Sequence, residues 1–143
     1  MFNPSKDEVR LFFCDTWKKS VSGAVLKPLE AIACDWIQQH PEYEHDLTDS
    51  EHALEADYDA AKGKTNPFLH LSMHLSIAEQ VSVDQPPGIR AACETLANKL
   101  ASEHEAHHQI MECLGEMLWA SQRNGTPPNG LVYIECIKRR AQA

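Results

Sequence analysis

Apolar residues recur three and four positions apart through most of the chain, the spacing of helices packed on one face. Val9, Phe12, Phe13 and Trp17 form such a stripe and predict a helix over residues 5 to about 20. Ser5 and Glu8 stand at capping-box spacing at its start, and Ser22-Gly23 breaks it. Leu29, Ile32, Ala33, Trp36 and Ile37 predict a second helix from Pro28 to about residue 39, stopped by Pro41. Glu30 is read as a solvated first-turn carboxylate. Residues 42–65 are the least regular. Leu47, Leu54 and Tyr58 anchor a short helix over about 49–57, and Glu51, Glu55, Asp57 and Asp59 lack the alternation and central glycine of a calcium-binding EF-hand loop.

The central stretch, 66–83, reads NPFLHLSMHLSIAEQVSV. Asn66 suits an N-cap and Pro67 the first helical position, and no further Gly or Pro interrupts the stretch. On a helical wheel Ser72, Ser76, Glu79 and Gln80 share one side, while His70 and His74 fall inside the broad apolar arc, one turn apart. Asp84-Gln85-Pro86-Pro87-Gly88 then makes a turn. Ile89, Cys93, Leu96, Ala97 and Leu100 give another helical stripe, and Ile110, Met111, Leu114, Met117 and Leu118 another over about 103–123. Ser102 and Glu105 repeat the capping-box spacing, so the region 84–124 is either two helices or one long bent helix. After Asn124-Gly125 and a Pro-rich loop, Leu131, Ile134 and Ile137 predict a final short helix. With no strand pattern or internal repeat, the expected architecture is all-α: a four-helix-bundle-like single domain, 1–143, with extra short helices.

Composition narrows the function classes. A net charge of −8 without a Lys/Arg-rich block argues against nucleic acid and anionic membrane as partners. Lys138, Arg139 and Arg140 form the one basic cluster and suit a helix C-terminus. No segment has the apolar length of a membrane span, and the start MFNPSKDEVR lacks a signal-peptide pattern. Five widely spaced cysteines without a C-x-x-C are read as reduced thiols, most of them small core residues, in a cytoplasmic protein.

The histidines carry the candidate chemistry. His70-x-x-x-His74 puts two nitrogen donors on one face, and His104, His107 and His108 put three more on another helix. His107 lies at the centre of that helix's apolar arc, and Glu112 is a further candidate donor. Helical bundles build metal sites from inward side chains in this way, and the set suits a divalent first-row metal such as zinc, iron or manganese. Glu105-x-x-His108 supplies half of a carboxylate-bridged dinuclear motif, and the second half is missing; His70-Leu71-Ser72-Met73-His74 lacks the glutamate of a zinc protease helix. The competing readings are core histidines bonded to backbone carbonyls and carboxylates, and a pH-sensitive packing cluster. His40, His45 and His52, in a polar acidic stretch, are expected to be exposed.

The runs NPFLHLSMHLSIAEQ, DQPPGIRAA and SEHEAHHQIMECLGEMLW resemble a family of short bacterial proteins, domain-of-unknown-function family 1841. MFNPS, CDTW at 14–17 and PLEAIA, DWI and HPEY within 28–43 fit the same resemblance, which covers nearly the whole chain. It implies a small bacterial cytosolic protein, and the family has no activity to carry over. His-x-x-x-His on a bundle helix is also similar, by fold-level analogy, to metal-binding bundles of the DinB and hemerythrin kinds. Two functional hypotheses emerge. One is a metal-binding bundle using His70, His74 and His107, with His104, His108 or Glu112 completing the site, either as a metal-dependent hydrolase or transferase on an unidentified small molecule or without catalysis. The other is a non-enzymatic interaction protein, with a homodimer as one candidate assembly, whose histidines are structural and whose Trp119 or terminal helix meets a partner.

Overall fold

The computed structural model describes residues 5–56, 58 and 66–142, which form eight α-helices and one 3-10 turn. Among the described residues there is no strand, so the fold is all-α. The chain groups into two compact units, Met1–Leu75 and Ser76–Ala143.

The first unit begins with α1, Lys6–Ser22, closed at its start by reciprocal Ser5 and Glu8 bonds and at its end by Gly23 at φ +77°. Helix α2, Pro28–Gln38, starts with the Lys27 amide donating to the Glu30 carboxylate at 2.9 Å. Glu30 is buried rather than solvated: Lys19 Nζ donates to its Oε2 at 2.7 Å. That bond, then the Lys27 amide, holds its pKa below the ordinary value. A 3-10 turn, Pro41–Tyr43, leads into α3, Glu44–Thr48, and α4, Ser50–Glu55, capped by Asp49. The C-terminal carbonyls of α4 find a buried cation: Arg10 Nη1 donates to Ala53 O and Ala56 O, both at 2.8 Å. The Arg10 guanidinium also lies 5.2 Å from the Tyr58 ring centre and 5.5 Å from that of Phe68. Helix α5, Pro67–Val83, is capped by Asn66 Oδ1, which accepts from the Phe68 and Leu69 amides. Phe13, Ala33, Trp36, Ile37, Leu47, Ala53, Phe68 and Leu71 make the unit's core. From the expected stripes of the first two helices and the central helix, Phe13, Ala33, Trp36, Ile37 and Leu71 are buried together, whereas Leu29 and Leu69 are exposed.

In the second unit α6, Ile89–Leu100, α7, Glu103–Asn124, and α8, Gly130–Gln142, pack against one another. The turn after α5 is tied by Asp84 Oδ1, which accepts from the Gly88 and Arg90 amides. Residues 84–124 resolve into two helices. Ala101 adopts the left-handed conformation at φ +55°, and Ser102 caps α7 by accepting from the Glu105 amide. Ile89, Leu96, Ile110, Tyr133 and Ile137 are fully buried, and Tyr133 donates its hydroxyl to Gln80 Oε1 at 2.8 Å. The expectation of five reduced thiols does not hold: Cys113 on α7 and Cys136 on α8 form a disulfide, leaving Cys14, Cys34 and Cys93 free and buried. Spacing along one chain does not reveal such a pair, because α8 returns along α7 only after the loop. No helix among the described residues is long and apolar enough to cross a membrane.

Candidate metal centre

Two elements of the first unit bring three imidazoles together. Pro41 keeps His40 out of helical geometry, at φ −128° and ψ 64°, so α2 stops short of it. The His40 ring turns back along the helix end, and its Nδ1 lies 2.7 Å from the Trp36 carbonyl oxygen. A carbonyl only accepts, so Nδ1 carries the proton and the neutral ring keeps its lone pair on Nε2. That Nε2 is 3.1 Å from His70 Nε2, which in turn is 3.1 Å from His74 Nε2. His70 and His74 reach this point from successive turns of α5, as their spacing predicts.

Aromatic neighbours hold the rings. The Trp36 ring stacks on His74, with centres 4.1 Å apart and planes 13° from parallel. Tyr43 stacks on His40 at 5.1 Å and 2°. Burial, followed by Glu42 and Asp46, pushes the Tyr43 hydroxyl pKa up. His74 is fully buried and His40 nearly so, while His70 is partly exposed and gives the group its contact with solvent.

The convergence suits a cation better than a chain of hydrogen bonds. A ring nitrogen holds either one proton or one lone pair. His70 Nε2 can therefore make a linear hydrogen bond of only one of its two 3.1 Å contacts, whatever the protonation state. A cation between the rings would use all three lone pairs. Three imidazole nitrogens at ~2.0–2.1 Å from a tetrahedral ion stand roughly 3.3 Å apart, close to the spacing here. Among the described residues, the potential ligands gathered around these nitrogens include no Asp, Glu or Cys.

The second unit carries the other candidate donors on α7. His104 and His108, one turn apart, have ring centres 4.4 Å apart, and each offers a nitrogen within 4.8 Å of the other's. Glu105 Oε1 lies 3.7 Å from His108 Nδ1. His107 is buried, with its Nε2 4.0 Å from Glu103 Oε1, and is not among the grouped potential ligands. Burial first, then His104 and His108, pushes its pKa down to about 4, so at neutral pH it is uncharged. Glu112 is exposed and accepts from Arg140 Nη1 at 2.8 Å, also outside the group.

His40 departs from its expected exposure. It stands in a polar run, and such a run points to solvent. The signal that finds it is its position directly before Pro41, one turn after Trp36 at the end of an apolar helix. His45 and His52 are exposed, as expected. Trp119 is exposed too, with the Arg123 guanidinium 5.1 Å from its ring centre.

The family model described as "Domain of unknown function (DUF1841)" matches residues 5–139. No curated protein and no solved structure matches the chain.

Proposed function

The chain belongs to the DUF1841 family, whose description assigns no activity, and we propose that it is a metal-binding helical protein that uses core histidines. The observation that carries this reading is the convergence of His40, His70 and His74 through Nε2. One nitrogen is held in the ligating tautomer by a backbone carbonyl, the usual outer partner of a metal-bound histidine. The all-imidazole set supports zinc or another late first-row divalent ion over manganese, which favours oxygen donors. His104 and His108 supply a second pair of donors at the same helical spacing. Were the triad the whole donor set, it would leave a position for water, as catalytic zinc sites do.

The test is elemental analysis of full-length protein purified without affinity tag or chelator, then supplemented with zinc, iron or manganese. We expect about one ion per chain, with affinity lowered at least tenfold in His40→Ala and His70→Ala. His70, being partly exposed, is the variant that best preserves the fold. Loss of the ion in a His104→Ala/His108→Ala variant would assign the α7 pair to ligation as well. Absence of stoichiometric metal under all three supplements would sink the proposal and leave the histidines as packed core groups.

A further inference from the structure

We infer that a cleft between the starts of α1 and α5 binds a small carboxylic acid with a short apolar tail, held at its carboxylate by Arg10. The cleft lies within the first unit, shares no residue with the histidine centre and does not depend on a metal.

Arg10 is 4% exposed and forms no ion pair among the described residues. Its Nη1 is committed to the Ala53 and Ala56 carbonyls, which bring only the partial charge of a helix end. Its Nε is buried and donates to nothing, and Nη2 makes no hydrogen bond among the described residues. Nearby acids are engaged elsewhere: Asp46 accepts from the Tyr58 hydroxyl at 2.8 Å, and Asp49 from the Glu51 and His52 amides. A buried cation with an unmet donor carries a free-energy cost that an anionic acceptor from solution would remove.

Nε and Nη2 form one edge of the guanidinium, and the two oxygens of a carboxylate match that edge as a bidentate pair. Arg10 lines a cleft of about 320 Å³ together with Lys6, Val9, Asn66, Phe68 and Leu69, and no acidic side chain lines it. Lys6, exposed and one turn before Arg10, adds a second positive charge. Asn66 Oδ1 is taken by the Phe68 and Leu69 amides, so its NH2 group is its remaining polar end. Val9, Phe68 and Leu69 supply apolar wall. Nε is closed to water, so a ligand reaches it by displacing part of that lining. Burial of an apolar tail offsets the cost, which favours a tailed carboxylate over a bare anion.

The experiment titrates the full chain with sodium hexanoate by isothermal calorimetry, with sodium acetate and hexanamide as controls. We expect saturable binding at one hexanoate per chain. Both controls, one lacking the tail and the other the charge, should bind at least about tenfold more weakly. Lys6→Glu and Leu69→Glu replace exposed side chains and bring an acid to the cleft, so each should weaken hexanoate binding by at least about tenfold. Arg10→Met should abolish binding, and the two exposed-site variants decide the matter where it fails to fold. Treatment with a chelator should change nothing; loss of binding on chelation would assign hexanoate to the histidine centre and overturn the inference. Absence of saturable binding, hexanamide matching hexanoate, or unaltered affinity in both glutamate variants would overturn it as well, leaving the metal reading untouched.

Discussion

Converting Cys113 and Cys136 to alanine together should lower the stability of the second unit by about 3 kcal/mol. The bond joins positions 23 residues apart. Closing a loop of that length removes chain entropy from the unfolded state worth about 3.4 kcal/mol at 25 °C in the loop-closure treatment. Helices α7 and α8 already pack against each other, and Ile110, Leu114, Ile134 and Ile137 on them are buried, so the fold should survive the loss. The assay is urea unfolding followed by circular dichroism, with and without a phosphine reductant. Oxidised wild type should lose about 3 kcal/mol on reduction, or roughly 10 °C in Tm. The alanine pair should match the reduced protein and ignore the reductant. Equal midpoints for oxidised and reduced wild type would refute the reasoning, by showing that the unfolded chain gains nothing from opening the loop. A mass spectrum with both thiols free in air-exposed protein would refute the bond itself.

Other expectations come from particular contacts. Arg10→Met should cost about 2–4 kcal/mol in urea unfolding, because it leaves the Ala53 and Ala56 carbonyls without their charged donor; an unchanged midpoint would deny the guanidinium its capping role. Ala101→Gly should stabilise by roughly 0.5–1 kcal/mol, since Ala101 sits at φ +55°; destabilisation would argue against that conformation. Cys14 and Cys93 have thiol pKa values raised to about 11, chiefly by burial. The unfolded thiols ionise nearer 9, so the folded state holds more protons between those values. Stability should fall as pH rises from about 9 towards 11, and native alkylation with iodoacetamide at pH 8 should be slow. Rapid labelling of both thiols in folded protein would contradict this.

Helical periodicity makes much of the fold legible. Phe13, Trp36, Ile37, Leu71 and Ile110 each fall on a buried stripe by spacing alone, because burial on a helix is set by neighbours three and four residues away. The Asn66, Ser5 and Ser102 caps are legible for the same local reason. The site is legible only in part. His70 and His74 share one helix, so their juxtaposition is a matter of 3.6-residue geometry. His40 comes from another element, and its burial depends on how the chain returns after Pro41. No window of local sequence contains that information. The same limit hides the Cys113–Cys136 bond and the Lys19–Glu30 pair, both between elements.

The origin of the triad in two distant elements bears on the order of folding. His40 and His70 are 30 residues apart, and Phe13 meets Phe68 in the same core, so the first unit depends on closing long loops. Helices α6, α7 and α8 are consecutive in the chain and pack as neighbours. Nearby contacts form sooner than distant ones. Amide protection in pulsed hydrogen exchange should therefore appear in α6–α8 before α1 and α2, and simultaneous protection would reject the order. The histidines would then meet near the end of folding, and a cation added during refolding would act as a latch on the slower unit rather than as a seed for it.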